Sequence, residues 1–205
     1  MYLTYSPFWL QWLYPTLTWH KGRKEKYVYL TFDDGPTPVV TPFVLNILNN
    51  FGAKATFFCI GDNVKKFPEI YADVLANGHR VGNHTFDHLR GWDCSDEKYL
   101  SSVKKCSELV NSNLFRPPYG RIKKSQISSI RSHLPNLHIT MWDVLSGDFD
   151  PAVNGEKCLQ NVLRHTRNGS IIVFHDSLKA SGNLYESLPA VLSELTSRGF
   201  AFKTL

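Results

Sequence analysis

Two adjacent aspartates, Asp33 and Asp34, follow a short apolar segment in this chain of 205 residues. Residues 27–30 (Tyr-Val-Tyr-Leu) have the pattern of a buried strand, and the Asp-Gly-Pro sequence that follows is typical of a turn. Because neighbouring side chains at a strand end point to opposite sides, one carboxylate can bind a metal ion while the other transfers protons. An acidic turn without a catalytic role explains this segment equally well.

Two histidines, His84 and His88, stand four residues apart, which on a helical turn would place both rings on one face. Imidazole binds zinc and other first-row divalent ions, and two imidazoles with one carboxylate leave coordination positions for water and substrate. A solvated pair of surface histidines is the alternative. Because Asp34 supplies a carboxylate of the right type, the sequence favours a catalytic metal site.

Two later segments carry further charged or titratable side chains. Residues 116–120 (Arg-Pro-Pro-Tyr-Gly) predict a rigid turn that can hold the Arg116 side chain and the Tyr119 amide in set directions. Residues 171–174 predict a buried strand that ends in His175, a candidate general acid. Taken singly, the two segments are also explained by a solvated loop arginine and a capped loop histidine.

Taken together and in this order, the four segments resemble the motifs of the polysaccharide deacetylase family, the NodB-homology carbohydrate esterases. The matching residues are Thr-Phe-Asp-Asp-Gly at 31–35, His-Thr-x-x-His at 84–88, Arg-Pro-Pro-Tyr at 116–119, and the strand that ends in His175. The similarity extends from about residue 27 to the C-terminus. It implies a metal-dependent hydrolase that removes an N-acyl group, expected to be acetyl, from an amino sugar in a polysaccharide, an oligosaccharide or a lipid-linked glycan.

The resemblance also assigns roles to the first two motifs. Asp34, His84 and His88 are the expected metal ligands, and Asp33 is the expected general base. The ion is expected to be a divalent metal, zinc in the first place, with cobalt, nickel and manganese as alternatives.

In the later motifs, the resemblance implies that Arg116 orients the base and that the Tyr119 amide helps to hold the oxyanion. His175 is expected to protonate the leaving amine. Trp142 and Val173 are expected to contact the substrate, with Val173 beside the acetyl methyl group.

The sequence departs from the family pattern in its fourth motif. Where many members have Asp-x-x-Asp-Trp, this chain has Leu145 at the first acidic position and Phe149 in place of the tryptophan. The missing acidic residue usually supports the arginine of the third motif, so we expect Arg116 to pair with another carboxylate. Asp143 is the first candidate, because in a strand it would face the same side as Leu145, and Asp148 is the second.

Apolar and amphipathic segments alternate along the chain in a β/α order, which predicts an α/β fold. The resemblance implies a distorted (β/α) barrel of about seven strands, similar to a TIM barrel, with active residues at the carboxyl ends of the strands. The predicted strands are residues 27–32, 55–60, 79–83, 137–142, 170–175 and 200–205. The predicted helices are residues 37–51, with Thr37 as its cap, 68–77, 95–111, 124–132, 156–165 and 184–198.

Composition agrees with one enzyme domain spanning residues 1–205, because 42% of the residues are hydrophobic and no low-complexity segment interrupts the chain. The net charge of +5 permits contact with anionic surfaces or glycans. Basic clusters such as residues 21–26 lack interleaved aromatic residues, so we expect no nucleic-acid partner. The sequence leaves the oligomeric state open.

Residues 1–26 are predicted to be an aromatic-rich extension packed on the barrel. The first 15 residues lack the basic start, apolar core and cleavage site of a signal peptide, and they are too short to cross a bilayer. We therefore expect a cytoplasmic chain without a transmembrane segment. Envelope association and peripheral membrane contact are the alternatives.

Two other functions compete with the deacetylase interpretation. The altered fourth motif is compatible with a catalytically silent glycan-binding protein on the same fold. Hydrolysis of a non-sugar amide is the second alternative. Both rank below deacetylation, because every group needed for metal binding and proton transfer is present.

Overall fold

Seven parallel strands form a curled half-barrel in the computed structural model, which describes residues 2–205. The order across the sheet is β5-β4-β3-β2-β1-β7-β6, so the first strand lies near the centre. The predicted distorted (β/α) barrel is confirmed. The strands are β1 (Tyr27–Asp33), β2 (Thr56–Cys59), β3 (Arg80–Asn83), β4 (Leu114–Phe115), β5 (His138–Ile139), β6 (Val144–Leu145) and β7 (Ile171–His175), and β8 (Ala201–Phe202) pairs with the start of β1.

Helices connect successive strands and cover the outside of the sheet. They are α1 (Phe8–Leu13), α2 (Val40–Asn50), α3 (Gly61–Lys66), α4 (Pro68–Ala76), α5 (Asp96–Ser107), α6 (Lys124–His133), α7 (Gly155–His165) and α8 (Ser181–Ser197). Side chains cap the N-termini of α5 and α7. The Ser95 hydroxyl accepts from the backbone amide of Lys98, and the side-chain oxygen of Asn154 accepts from the backbone amide of Lys157. Among the helices of residues 2–205, none has the length and apolar character that crossing a membrane requires.

Several predicted boundaries were wrong, and four short elements were not predicted at all. The strands β4 and β6 have two residues each, too few for a pattern, and α1 and α3 have only six. Thr37 does not cap α2: the N-cap is Val39, and the Thr37 amide instead donates to the Thr41 hydroxyl at 2.8 Å.

The parallel register brings the strand ends of the motifs together. Asp33 at the end of β1 is paired with Phe58 of β2 on one side and with His175 of β7 on the other. Asn83, which ends β3, is paired with Phe115 of β4. Residues that follow these strands therefore meet at one edge of the half-barrel, as expected for chemistry at carboxyl ends.

Residues 2–26 lie along the open side of the half-barrel, where β5 and β6 do not pair with each other. Tyr5 forms an antiparallel bridge with Val144 of β6, and Thr18 forms a parallel bridge with Thr140, just after β5. Leu17 and Trp19 are buried in a core shared with α5 and α6. This N-terminal segment thus covers two strand edges whose backbone groups would otherwise be exposed.

Candidate active site

Asp34, His84 and His88 converge at the carboxyl edge of the half-barrel. Their ligand atoms all lie within 4.8 Å of one another, and His88 Nε2 is 3.1 Å from Asp34 Oδ1. His84 Nε2 is 3.7 Å from the same oxygen. Two imidazole nitrogens and a carboxylate oxygen at this separation form a donor set that suits a single divalent ion with open coordination positions.

The two histidines come together through an irregular loop, so the predicted helical turn is wrong. Thr85 and His88 have φ values of 61° and 53°, and Asp34 has a φ of 84°. These left-handed conformations cost a non-glycine residue about 1–3 kcal/mol each, and such strain is characteristic of functional sites. The Asn83 side chain supports the loop by accepting from the Thr85 amide at 2.8 Å.

The ring of His84 is fixed in the form that a metal ligand requires. Its Nδ1 lies 2.8 Å from the Arg116 carbonyl oxygen, which can only accept, so Nδ1 carries the proton and Nε2 keeps its lone pair. Burial lowers the pKa of His84 to about 4, so the ring is neutral at pH 7. Burial would raise the pKa of Asp34, but the His88 hydrogen bond and nearby histidine charges hold it well below its usual value.

The Asp33 side chain does not join the Asp34–His84–His88 group but pairs with a fully buried arginine. Arg116 Nη1 donates to Asp33 Oδ1 and to the Thr31 hydroxyl, both at 2.7 Å. Arg116 Nε and Nη2 donate to the carbonyl oxygens of Thr140 and Met141. The guanidinium is therefore satisfied without the acidic residue that Leu145 replaces, and backbone carbonyls supply the missing acceptors.

The prediction that Asp143 pairs with Arg116 is wrong. Asp143 lies in the bend just before β6, so it does not share a strand face with Leu145, and its carboxylate is bound elsewhere. It accepts from Arg23 at 2.8 Å, from the Ile171 amide at 2.8 Å and from the Ser170 hydroxyl at 3.1 Å. Burial raises the pKa of Asp143, and its partners only partly offset that effect.

Asp148, the second candidate partner of Arg116, instead holds His175. One carboxylate oxygen lies 2.8 Å from His175 Nδ1, and the other accepts from the His175 amide at 2.7 Å. Burial acts to lower the pKa of His175, but Asp148, Asp34 and Asp33 outweigh it and raise that pKa to about 9. The imidazole is therefore charged at neutral pH, and its Nε2 proton is available to a substrate.

One cleft of about 1400 Å³ is lined by Asp33, Asp34, His84, His88 and His175. Leu145 and Val173 are buried apolar residues of its wall, and Trp142 packs against the backbone of Gly120. The exposed Tyr119 ring lies 4.7 Å from the His88 ring. Trp142, Val173 and Tyr119 therefore all line the cleft.

Phe149 contributes an aromatic wall at the other side of the cleft. Its ring meets the His175 ring edge-on at 5.1 Å and lies 5.0 Å from the Tyr2 ring of the N-terminal segment. The Tyr2 hydroxyl donates to Asp150 at 2.9 Å. The substitution of tryptophan by phenylalanine thus preserves a wall, and Tyr2 packs behind it.

Several positioning residues escaped the sequence analysis. The side-chain amide of Asn63 donates to the backbone carbonyl oxygen of Asp34 at 2.7 Å. The buried Asp176 carboxylate accepts from the backbone amide of Gly35 and from the Thr41 hydroxyl. The Asp176 carboxyl leaves no room for a Cβ at Gly35, which explains the glycine of the first motif. Asp176 directly follows His175 in the sequence, whereas Asn63 and Thr41 lie outside the four motifs.

A metal-ligand triad, a carboxylate paired with an arginine beside it and a protonated histidine on the neighbouring strand together define a metal-dependent hydrolase site. Comparison with known proteins agrees. The sequence profile of polysaccharide deacetylases matches residues 20–134. The chain belongs to the polysaccharide deacetylase family.

The chain is 34% identical over 195 residues to a peptidoglycan-N-acetylglucosamine deacetylase of Bacillus cereus, covering 92% of this chain and 91% of the relative. It is 35% identical to a chitooligosaccharide deacetylase of Azorhizobium caulinodans, covering 89% and 94%. A crystal structure of a peptidoglycan N-acetylglucosamine deacetylase superposes with a TM-score of 0.88 at 30% identity, covering 98% and 95%. The chain is thus a metal-dependent hydrolase that removes acetyl groups from amino sugars in glycans.

Proposed function

We propose that this deacetylase acts on N-acetylglucosamine residues of peptidoglycan with zinc as its metal. The names of the Bacillus cereus relative and of the superposed crystal structure support this substrate. The observation that carries the catalytic assignment is the register of β1 and β7, which sets Asp33 beside His175 with the triad of Asp34, His84 and His88 at the same edge.

A divalent ion held by the triad would supply a Lewis acid and lower the pKa of a water molecule. Asp33 accepts the proton of the attacking water, and the Arg116 guanidinium, 2.7 Å away, orients that carboxylate. His175, charged through Asp148, donates its Nε2 proton to the departing nitrogen. An amine is a poor leaving group without that proton, so the acid is as necessary as the base.

The remaining residues bind and orient the acetyl group. The Tyr119 amide, set by its φ of 58°, donates to the carbonyl oxygen as negative charge develops on it. Leu145 and Val173 form the apolar surface against the methyl group.

Acetate release tests the substrate and the metal together. Protein reconstituted with zinc, cobalt, nickel or manganese is incubated with peptidoglycan fragments, N-acetylglucosamine oligomers and a lipid-linked glycan. We expect the highest kcat/KM with zinc and peptidoglycan. A preference for the neutral oligomers would overturn the peptidoglycan assignment, and stoichiometric metal without turnover on any acyl sugar would identify a silent glycan-binding protein.

The metal ligands are tested by Asp34→Ala, His84→Ala and His88→Ala, with the exposed His138→Ala on β5 as the matched control. Each ligand variant should lose stoichiometric zinc and turnover, because two ligands hold the ion weakly. His138→Ala should keep both. Full zinc in any ligand variant would remove that residue from the site.

The acid is tested by His175→Ala on an N-acetyl substrate and on an activated ester of the same acyl group. Turnover of the amide should fall about 10²–10⁴-fold, whereas the ester, whose leaving group needs no proton, should lose far less. Equal losses would show that His175 is not the proton donor.

A further inference from the structure

The helix α1 has an apolar outer side that the rest of the chain does not cover. Phe8 and Trp12 are 83% and 80% exposed, and Trp9 and Leu13 are about half exposed. We call these four residues the aromatic face. The inner side of α1 packs through Leu10, with Tyr14 just beyond the helix, against the core shared by α5 and α6. The helix is therefore anchored, and its aromatic face is presented outward.

Two basic residues of α6 lie next to the segment that carries α1, and acidic residues are absent from the two stretches of sequence that pack together here. Residues 1–24 and 109–142 contain eight lysines and arginines and not one aspartate or glutamate, while the rest of the chain has a net negative formal charge. Lys124 Nζ lies 5.7 Å from the Tyr14 ring, and Arg131 donates to the Thr16 carbonyl oxygen. Lys124 and Arg131 are both exposed, so they place positive charge on the surface next to α1.

We propose that the aromatic face of α1 inserts into the interface of a lipid bilayer that contains anionic lipids. Tryptophan and phenylalanine rings partition into the headgroup region, and neighbouring lysines and arginines bind anionic headgroups. One such signal alone gives weak binding, whereas the two together give stable docking. Negative headgroups match the charge of this surface, whereas an apolar protein partner would leave Lys124 and Arg131 without a counter-charge.

Membrane docking would also orient the enzyme. Leu10 and Tyr14 line the catalytic cleft from the inner side of α1, so the cleft opens next to the proposed contact. Peptidoglycan close to the bilayer surface is therefore favoured over peptidoglycan farther from it. Binding itself does not depend on the chemistry proposed above.

Vesicle co-sedimentation tests the docking. Unilamellar vesicles of phosphatidylcholine and phosphatidylglycerol at 7:3 are compared with pure phosphatidylcholine vesicles. We expect the wild-type chain to bind the anionic vesicles and release in high salt. Phe8→Ser/Trp12→Ser should reduce the partition coefficient by about tenfold or more, and Lys124→Gln by about fivefold. The control Leu75→Ser, which removes an exposed apolar side chain of α4, should bind as the wild type does.

Three further measurements separate membrane docking from loss of folding and from catalysis. Acetate release from a soluble oligosaccharide should be unchanged in Phe8→Ser/Trp12→Ser, which shows that the variant is folded, and Asp33→Asn should bind vesicles normally. Shallow brominated lipids should quench the tryptophan fluorescence of the wild type. Binding that is equal in the double variant, or no binding to anionic vesicles, overturns the proposal. So does a dimer in light scattering that the double substitution dissolves, because the face would then be a self-association surface.

Discussion

The strands β6 and β7 carry carboxylates at both ends, and the two ends serve different purposes. At the amino ends, Asp143 binds Arg23, the Ser170 hydroxyl and the Ile171 amide. At the carboxyl ends, Asp148 binds both the amide and the ring of His175. The partners of Asp143 hold segments of the chain together and do not line the cleft. The His175 ring, which Asp148 binds through Nδ1, keeps its Nε2 free to face the cleft.

This difference shows that residue type and burial do not separate a structural carboxylate from a functional one. Both aspartates are buried, and both have a cationic partner within 2.8 Å. The distinguishing property is whether the partner retains an accessible titratable atom. Arg23 ties the N-terminal segment to the sheet, and His175 lines the cleft.

The largest expected effect is at the carboxyl ends, with Asp33→Asn. The amide oxygen can still accept from Arg116, so the fold should be kept, but the group can no longer take a proton. We expect kcat to fall about 10²–10⁴-fold with zinc content unchanged. Turnover and bound metal are measured on the same preparation. Wild-type turnover in this variant would exclude Asp33 as the base.

At the amino ends, Asp143→Ala should instead reduce stability. It leaves the Arg23 guanidinium, the Ser170 hydroxyl and the Ile171 amide without this acceptor. Loss of one partner of a fully buried ion pair costs about 3–5 kcal/mol, and because Arg23 is 29% exposed we expect a loss below that range. Urea unfolding measures the loss, with the exposed Asp73→Ala on α4 as control. At temperatures where the variant is folded, its kcat should match the wild type. A loss of kcat without a loss of stability would show that Asp143 has a catalytic role and not a structural one.

The pH dependence sharpens the role of Asp148. His175 must be protonated to act, so activity should decline as pH rises through its pKa of about 9, or somewhat lower once a metal cation is bound nearby. Asp148→Asn removes the negative charge that raises this pKa, so the alkaline limb of kcat should move to lower pH. A kcat–pH profile from pH 5 to 10 measures the shift, and an unmoved limb would contradict the assignment.

The same pair predicts that the stability lost in Asp148→Asn depends on pH. The pKa of His175 is higher in the folded protein than in the unfolded chain, so its contribution is complete below about pH 6.5 and is lost as pH rises through about 9. The destabilisation by Asp148→Asn should therefore be larger at pH 6 than at pH 9.5. Urea unfolding at both pH values tests this.

The smallest expected effect concerns the aromatic wall. Phe149→Leu removes the edge-on contact with the His175 ring, worth about 0.5–1.5 kcal/mol. We expect a several-fold loss in kcat/KM with the position of the alkaline limb unchanged. A shifted limb would mean that Phe149 influences the pKa of His175 as well as substrate packing.

The sequence predicted the residues that carry the chemistry better than the backbone conformations that position them. Asp34, His84 and His88 were identified from residue type, spacing and the family resemblance. They meet in the structure because Asp34 and His84 directly follow parallel strands, whose carboxyl ends lie at one edge whatever their exact length. The helical turn proposed for the two histidines was wrong, because left-handed φ values at Thr85 and His88 shape that loop, and side-chain spacing does not encode them.

The tertiary structure decided which carboxylate serves which cation. Asp143 and Asp148 are five residues apart with similar surroundings in the sequence, and only the register of the two-residue strand β6 sends one to Arg23 and the other to His175. The satisfaction of Arg116 by the carbonyl oxygens of Thr140 and Met141 likewise depends on backbone from the end of β5. Side-chain types and their order along the chain specify the reagents, because those are local properties. Pairings between distant segments depend on register and packing, and these exist only in the folded chain.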